Sequence, residues 1–368
     1  MDDKEIRIKE VRSWTATLKR GFVYKTARYT KKDIEIAVIQ ITDENGVSGY
    51  GNVPSMLLEG ESGASAQVLL HCVLKPIILR KDIVGIQPLM KEMDLQLPQN
   101  LQLKFAIEEA LLDLQGKQLG VPVYNLIGGL SRREVPVMRI MGLKGPKETA
   151  EDVRAFVEKG YTHIKLKIGV DEDRDVDTIQ AVRDAVGKNI IVTADANRSY
   201  TPMQAIRVIN KMEKFKLDGI EQPVGRDDIR GMAFVRQHIG TPLMVDEGVL
   251  TPVDAMRLIE GNAMDVVCIK LWKVGGIMKA REIASLCRTN SIGCHIGSTP
   301  GSQLHEAGQL QFAASIPDLV MGAEIGEFDE FTEDPCSGLE VKNGCLQVTN
   351  APGLGVKVDL SNAREMKM

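Results

Sequence analysis

The chain has 368 residues, a formal net charge of −4 and a pI near 5.9. This length exceeds what one ordinary hydrophobic core supports, so a barrel of roughly 250 residues with a smaller companion domain is the natural expectation. The acidic balance provides no basic face for nucleic acid or an anionic membrane surface. A small molecule is therefore the expected partner.

The first residues and the cysteines predict a cytoplasmic protein. MDDKEIRIKE is charged where a signal peptide needs an apolar stretch, and no run approaches the ~20 apolar residues of a membrane span. The six cysteines show no CxxC spacing. We therefore expect free thiols rather than a disulfide framework or a zinc site.

The first 130 residues are predicted to form strands and then helices. Two segments alternate apolar and polar residues, and a turn at Asp43-Glu44-Asn45-Gly46 leads into a third strand. Helical spacing then covers Lys104–Leu119 and ends at Gly120. Strands followed by helices predict an α+β domain. The three strand segments are Ile6–Val11, Ile34–Ile41 and Val47–Gly51.

From about residue 134, short apolar segments alternate with amphipathic helices. Eight such strands, buried on both faces, predict a parallel TIM-type β/α barrel wrapped in helices. An open doubly wound sheet is the alternative, but no GxGxxG follows an early strand. The strand candidates are Val135–Met141, His163–Ile168, Ile190–Ala194, Gly219–Glu221, Leu243–Val245, Asp265–Leu271, Ile292–Ile296 and Gly322–Ile325. Helices are predicted at Lys147–Lys159, Asp173–Val186, Pro202–Met212, Val253–Glu260 and Ile277–Arg288.

The last residues return to alternating patterns in Leu339–Val341 and Cys345–Val348. We expect this tail to rejoin the N-terminal domain. The predicted division is an N-terminal α+β capping domain at 1–130, a barrel at 131–330 and a returning segment at 331–368.

Charged residues interrupt the ends of five successive strands. They are Lys167, Asp195, Glu221, Asp246 and Lys270, separated by 28, 26, 25 and 24 residues. Each step is one strand and helix, so we expect all five at the carboxyl end of the barrel, where barrel active sites lie. Buried charges are costly unless they are paired or bind a metal, so the pattern predicts a functional site.

The three carboxylates predict a metal site. Asp195, Glu221 and Asp246 would repel one another unless a divalent cation lay between them, and all-oxygen ligation favours Mg²⁺ or Mn²⁺ over zinc. A structural network of carboxylates and lysines is the alternative. Asn197 and Glu247 are expected behind these ligands, with Glu247 orienting Lys270 or Lys273.

Lysines flank the carboxylates on both sides. Lys167 lies one strand before them and Lys270 one strand after, so their ammonium groups should approach a bound carboxylate from opposite sides. Lys165 points the same way as Lys167, because strand side chains repeat every two residues. Since neighbouring cations disfavour each other's charge, Lys165 is expected to lower the pKa of Lys167 and make it a general base near neutral pH.

This set of groups suits proton removal from the carbon next to a carboxylate. The product is an enediolate with charge on two adjacent oxygens, and a magnesium ion is a suitable electrostatic stabiliser for it. Lys165 is expected to contact the substrate carboxylate.

The motifs resemble the muconate lactonizing enzyme subgroup of the enolase superfamily. That subgroup has KxK on the second barrel strand, acids on the next three and lysine on the sixth. The matching residues here are Lys165-Leu166-Lys167, Asp195, Glu221, Asp246 and the Lys270 of IKLWKVGGI. Segments Leu126–Gly129 and Pro352–Val356 also look like the family's domain junction and closing motif. The resemblance spans nearly the whole chain and implies a homo-oligomer.

Other segments bear on the substrate. In the family, loops of the capping domain cover the substrate, and Arg20, Lys25 and Arg28 are candidates to meet a second anionic group, with solvated surface charge as the alternative. His295 is a candidate from the seventh strand, although a hydrogen-bonded structural role is the alternative. Glu324 lies in Gly322–Gly326, which resembles the glutamate-containing strand end of muconate cycloisomerases and lacks the Asp-x-Asp pair of dipeptide epimerases.

The predicted function is a magnesium-dependent isomerase that acts at the α-carbon of a carboxylate, most closely a muconate cycloisomerase. The alternative is a dipeptide or N-acyl amino acid epimerase or racemase that uses the same two lysines. A metal-independent Schiff-base lyase and a non-catalytic binding barrel are further alternatives.

Overall fold

The computed structural model describes residues 5–25, 30–57 and 60–367. The N-terminal elements are β1 (Ile8–Leu18), β2 (Tyr24–Lys25), β3 (Thr30–Lys31), β4 (Ile34–Asp43), β5 (Ser48–Val53), α1 (Gly63–Leu69), α2 (Lys75–Ile78), α3 (Ile86–Gln96), α4 (Leu101–Leu119) and α5 (Val123–Leu126), with a π-helical turn at Leu70–Leu74. The next elements are β6 (Glu134–Pro136), β7 (Met138–Met141), α6 (Pro146–Glu158), β8 (His163–Lys167), α7 (Glu172–Val186), β9 (Ile191–Asp195), α8 (Pro202–Met212), β10 (Gly219–Glu221), α9 (Ile229–Arg236), β11 (Leu243–Val245), α10 (Pro252–Glu260), β12 (Val266–Ile269), α11 (Leu271–Val274), α12 (Ile277–Thr289), β13 (Gly293–Ile296) and α13 (Gln303–Ser315). Short 3₁₀ turns lie at Glu213–Phe215 and Glu327–Glu330, and the tail carries β14 (Cys336–Ser337), β15 (Val341–Lys342), β16 (Cys345–Gln347), β17 (Lys357–Val358) and β18 (Arg364–Glu365).

The N-terminal part is an antiparallel sheet, ordered β18-β1-β4-β5, covered by helix α4. Almost all of α4 is buried, because it lies between this sheet and the barrel segments α11 and α12. The helix begins three residues before the predicted start. The carboxylate of Glu61 accepts the N–H groups of Gln102 and Leu103 at 2.9 Å each and so satisfies its first turn.

Seven parallel strands, from β7 to β13, form the barrel wall in sequence order. The segment predicted as the eighth strand forms backbone hydrogen bonds with the barrel, but it is not a regular strand. Met138 N donates to Ala323 O at 2.7 Å, and Glu324 N donates to Ile296 O at 2.8 Å, so segment 322–325 joins β7 and β13, the first and last strands of the wall. The predicted fold class, a β/α barrel with an α+β cap completed by the tail, is confirmed.

All five helices predicted for the barrel are present, but α9, the short α11 and α13 are not predicted. Helix α13 has no amphipathic pattern, because polar residues such as His305, Glu306 and Gln309 are buried along with its apolar residues. The predicted first strand is also split. Strand β6 pairs with β16 of the tail, and only β7 joins the barrel wall.

The tail contacts both parts of the molecule. Strand β18 pairs with β1 through Trp14 and Thr15, while β16 pairs with β6. The exact boundaries at residues 130 and 330 remain a proposal. The six cysteines are free thiols, as predicted. Within the described ranges, none of the helices combines the length and apolar character needed to cross a membrane.

Buried ion pairs join the cap to the barrel. Thr332 N donates to Lys19 O at 2.9 Å, which brings the first cap loop against the segment after the barrel. There the Arg20 guanidinium lies 2.8 Å from Glu330, which also pairs with Arg139 of β7 at 2.7 Å. Because Arg20 and Glu330 are almost fully buried, removal of one partner would leave an uncompensated charge.

Glu327 lies in the same charged environment. Burial raises its pKa, and Glu330 adds to this, while Arg139 and Arg20 oppose it; the net pKa is about 8 against an ordinary value of 4.5. The folded protein therefore holds this proton more tightly than the unfolded chain. The resulting stabilisation is complete below the ordinary pKa and is lost as the pH rises through about 8.

We expect the variant Glu327→Gln to lose less stability than the wild type between about pH 5 and pH 8, because glutamine cannot ionise. The difference should reach on the order of a few kcal/mol, measured as the free energy of unfolding in urea at each pH. The exposed Glu333→Gln is the control and should follow the wild type. Parallel curves for wild type and Glu327→Gln would contradict the assignment.

The turn between α11 and α12 depends on glycine. Gly276 has φ +141°, and a β-carbon there would collide with the carboxylate of Glu108. Glu108, on helix α4, accepts the N–H of Ile277 and that of Met278, the latter at 3.3 Å, at the start of α12. The cap thus holds the barrel helix that follows Lys270.

We expect Gly276→Ala to destabilise the protein by about 3 kcal/mol, because it combines left-handed backbone with a steric clash. Gly225→Ala is the matched control, since Gly225 has open space where a β-carbon would lie. Its free energy of unfolding should change by less than about 1 kcal/mol. Equal effects of the two substitutions in urea titrations would refute this account of the turn.

Candidate active site

The predicted lysines and acids lie together at the carboxyl ends of the barrel strands. Lys165 and Lys167 end β8, Asp195 ends β9 and Glu221 ends β10. In the parallel register Lys167 is opposite Asp195, and Asp195 is opposite Glu221. Asp246 and Lys270 follow β11 and β12 directly.

Each of the three carboxylates contacts a lysine. The Nζ of Lys167 lies 2.6 Å from Asp195, and that of Lys270 lies 2.6 Å from Asp246. Lys165 donates to both oxygens of Glu221 at 2.8 and 2.9 Å. Acids and amines thus alternate around the strand ends.

The lysines differ in their access to solvent. The side chain of Lys165 is 1% exposed, whereas those of Lys167 and Lys270 are 11% and 13% exposed. Lys165 is therefore enclosed by its partners. Lys167 and Lys270 are partly open, as groups that meet a ligand must be.

The expectation that Lys167 has a lowered pKa is wrong for this arrangement. Burial lowers the pKa of Lys167, Asp195 raises it and Lys165 lowers it, and the net pKa lies above its ordinary value. Lys165 thus acts in the expected direction, but the carboxylate outweighs it. The pKa of Lys270 is also well above its usual range, because Asp246 overcomes the effect of burial.

The carboxylates respond to one another as well as to the lysines. Burial raises the pKa of Asp195, but Lys167 and Lys165 bring it down to about 2. The pKa of Glu221 lies well above its ordinary value, because burial and the charge of Asp195 outweigh Lys165, and Glu324 and Asp246 add to the effect. Negative charge is thus in excess around Glu221.

Residues behind the carboxylates hold them in place. Asn197 donates to Asp195 from its backbone N at 2.8 Å and from Nδ2 at 3.1 Å. Glu247 pairs with Arg198 at 3.0 Å, a partner that the spacing did not predict, and its orientation of Lys270 or Lys273 stays a prediction. Asn197 and Arg198 have φ of +44° and +67°, and such strain clusters at functional sites.

Two residues outside the predicted set of acids and catalytic lysines also contribute contacts to the site. Gln222 has φ +36°, and its Oε1 accepts the backbone N–H groups of Asp246 at 3.0 Å and Gly248 at 3.1 Å. Lys273 contacts Asp246 directly, with Nζ 2.5 Å from Oδ1. The only sequence signal was proximity, since each follows a predicted site residue by one to three positions.

Glu324 is engaged inside the protein. One oxygen lies 2.5 Å from Lys165 and 3.1 Å from Nε2 of His295, and the other accepts the N–H of Ser298 at 3.2 Å. Both Glu324 and His295 are buried. His295 is thus a hydrogen-bonded residue at the end of its strand, the alternative to a substrate contact considered from the sequence.

Of the cap-loop candidates, one pairs with an acid that follows the barrel, and the others lie outside the described part. Arg20 is buried against Glu330. The side chain of Lys25 and all of Arg28 lie outside the described residues.

One further group of potential metal ligands is present among the described residues. Glu221, Cys268, His295 and Glu324 offer ligand atoms within 4.8 Å of one another. A thiol and an imidazole would suit zinc. However, the Lys165 ammonium already contacts both Glu221 and Glu324, so a protein cation lies among these ligand atoms and neutralises part of their charge.

Two family descriptions match most of the chain. Residues 10–128 match the mandelate racemase/muconate lactonizing enzyme N-terminal domain, and residues 148–362 match the enolase C-terminal domain-like family.

Curated relatives cover almost the full length. An L-Ala-D/L-Glu epimerase from Bacillus subtilis is 30% identical over 337 residues, 90% of this chain and 92% of the relative. An N-succinyl-L-Arg/Lys racemase from Bacillus cereus is 30% identical over 351 residues, 95% and 94% of the two chains. Muconate cycloisomerase 1 from Rhodococcus opacus is 28% identical over 338 residues, 88% and 89%.

Solved structures agree with these relatives. A dipeptide epimerase from Enterococcus faecalis, complexed with Mg and the dipeptide L-Leu-L-Tyr, has a TM-score of 0.92 at 27% identity, covering 95% of this chain and 99% of that one. The muconate lactonizing enzyme from Pseudomonas fluorescens, complexed with muconolactone, has a TM-score of 0.94 at 26% identity, covering 98% and 100%. The chain therefore belongs to the mandelate racemase/muconate lactonizing enzyme family of the enolase superfamily, and it is an isomerase.

Proposed function

We propose that this isomerase moves a proton at the α-carbon of a carboxylate substrate, with Lys167 and Lys270 as the acid–base groups and Mg²⁺ as the cofactor. The observation that carries the proposal is the cluster of lysines and carboxylates at the carboxyl ends of the barrel strands. Two partly open lysines flank Asp195, Glu221 and Asp246, and a third lysine, Lys165, is enclosed among them.

The donor set fits a hard divalent cation. Asp195, Glu221 and Asp246 supply only oxygen atoms, the ligands that Mg²⁺ prefers. The raised pKa of Glu221 reflects burial and the neighbouring carboxylates, a conflict that a bound cation relieves. A complexed relative with Mg at 27% identity supports the choice of ion. When bound, Mg²⁺ supplies positive charge that stabilises the enediolate form of a carboxylate.

The amines then have separate tasks. Lys167 and Lys270 each contact a different carboxylate, Asp195 and Asp246, and so approach the substrate from two sides. In a cycloisomerisation, Lys167 protonates the α-carbon as the lactone closes, while Lys270 gives electrostatic support. In an epimerisation, one lysine removes the α-proton and the other returns a proton on the opposite face.

The end of the barrel at residues 322–326 favours a substrate that has no free ammonium group there. Glu324 already has three hydrogen-bond donors from the protein, so it has little capacity to accept a further cation. This favours a muconate cycloisomerase-like enzyme. N-acyl amino acid racemisation is the second candidate, because an acylated nitrogen carries no charge and both lysines are partly open.

We expect the wild type with Mg²⁺ to exchange the α-hydrogen of its substrate, or to form a deuterated lactone, in deuterated water. Lys167→Ala should lower this rate by about 10²–10⁴-fold, because it removes the proton-transfer group. NMR and mass spectrometry follow the deuterium. In a two-base epimerase Lys270→Ala keeps exchange from one enantiomer only, whereas in a cycloisomerase it lowers the rate of lactone formation.

Controls separate this mechanism from its alternatives. The exposed Lys211→Ala should keep wild-type rates, and EDTA should stop exchange until Mg²⁺ is restored. Activity that persists in EDTA, together with borohydride trapping of a lysine adduct, would instead indicate a Schiff-base lyase. No exchange with any tested carboxylate would favour a non-catalytic barrel.

We expect muconate and N-acylated amino acids to have kcat/KM values at least about 10-fold above those of dipeptides with a free amine, because an unpaired buried ammonium costs about 1–3 kcal/mol. Parallel assays of the three compound classes, followed by lactone absorbance and deuterium uptake, measure these kcat/KM values. Preference for free dipeptides would overturn the assignment of substrate class.

A further inference from the structure

Lys273 is a buried lysine that the proposed proton transfers do not use. It lies on the short helix α11, three residues after Lys270, and its side chain is 3% exposed. Its ammonium donates to Oδ1 of Asp246 at 2.5 Å, to the backbone oxygen of Asp246, and to the backbone oxygen of Cys268 at 3.4 Å. All three acceptors belong to the ends of β11 and β12.

The two oxygens of Asp246 are thus held by two different lysines. Lys270 contacts Oδ2 at 2.6 Å, and Lys273 contacts Oδ1. The backbone N–H of Asp246 is also fixed, by Gln222. Lys270 is 13% exposed and Lys273 only 3%, so Lys270 is the one that can turn towards a ligand.

Because Lys270 can turn away from Asp246, this carboxylate needs a second cation that stays beside it. When Lys270 turns from Asp246 towards a ligand, a buried carboxylate loses a partner, which is costly. Lys273 has two further hydrogen bonds, to backbone oxygens at the ends of β11 and β12, which hold its ammonium beside Asp246. We propose that Lys273 is a positioning residue that fixes the orientation of Asp246 throughout the reaction cycle. This inference rests on the proposed function of Asp246 as a metal ligand.

Charge and positioning predict opposite effects on metal binding. An ammonium beside Asp246 repels a divalent cation, so a purely electrostatic role means that its removal tightens binding. A positioning role means that its removal weakens binding, because the carboxylate can rotate. Loss of a partner behind a metal ligand typically weakens metal affinity or activity by about 10–100-fold.

The first experiment is a titration of Lys273→Met with Mn²⁺, followed by electron paramagnetic resonance of the free ion. We expect Mn²⁺ affinity to fall about 10–100-fold and kcat to fall with it, while KM for the organic substrate at saturating metal changes little. A lower Mn²⁺ affinity and kcat with an unchanged KM distinguishes a positioning role from a general loss of folding. Circular dichroism monitors the folding of the variant.

A geometric twin elsewhere in the protein gives a matched control. Asp94 is also held by two lysines, with Lys104 at 2.5 Å from Oδ1 and Lys279 at 2.8 Å from Oδ2. Lys104 is fully buried, like Lys273. Lys104→Met therefore removes a buried lysine from a doubly paired aspartate away from the strand ends, although Asp94 itself is 34% exposed, and Mn²⁺ affinity should remain that of the wild type.

Chemical rescue gives a second test. Lys273 lines a cavity of about 390 Å³ together with Trp272, Leu250 and residues 99–102 of the cap. A small amine can therefore reach the space vacated in Lys273→Ala. Propylammonium, which replaces the missing carbons and the N–H donors, should restore Mn²⁺ affinity, whereas tetramethylammonium, which has no N–H, should not.

The outcomes are separable from those of the proposed function. Unchanged or tighter Mn²⁺ binding by Lys273→Met, an equal loss in Lys104→Met, or equal rescue by both ammonium ions would overturn the role of Lys273. Wild type that binds Mn²⁺ but exchanges no α-hydrogen would instead reject the proposed reaction and leave the metal-binding result to decide on Lys273.

Discussion

The arrangement of this site depends on the balance of buried charge at the barrel's strand ends. Acids on three neighbouring strands can be buried together only because amines lie between and beside them. A lysine that acts as a base must give up its positive charge, which would leave this balance negative. In the proposed function a divalent cation resolves this conflict, which links proton transfer to metal binding.

The capping domain takes part in the same balance. Its helix α4 supplies Glu108 to the first turn of α12, directly after the Lys270 segment, and its first loop supplies Arg20 to the buried pair with Glu330. These contacts bury charges from both parts at their junction, so separating cap and barrel would expose unpaired groups on each. The cap therefore stabilises the barrel end that carries the lysines as well as covering it.

The sequence predicted the centre of the site better than its surroundings. The five interruptions could be found because each βα unit has a similar length, so regular spacing along the chain becomes proximity at one face. Partners could not be found this way. Glu247 pairs with Arg198, and α4 begins against Glu61, because such contacts depend on loop geometry rather than period. Helix α13 escaped prediction because burial on all sides removes the amphipathic pattern. The raised pKa of Lys167 likewise depends on a 2.6 Å contact that spacing does not reveal.

The position of Glu324 suggests how one scaffold supports several isomerisations. The balance of charge requires Lys165 here, because its ammonium contacts both Glu221 and Glu324 and lies 3.2 Å from Asp195. An acid on the last strand end can either complete that lysine's contacts or face the substrate, and three protein donors occupy most of the about four lone-pair sites of this carboxylate. In this chain it completes the contacts, with His295 and Ser298 as further donors. In the proposed function, selectivity against a substrate cation follows from how this lysine is held, because the contacts of Glu324 are already used within the protein.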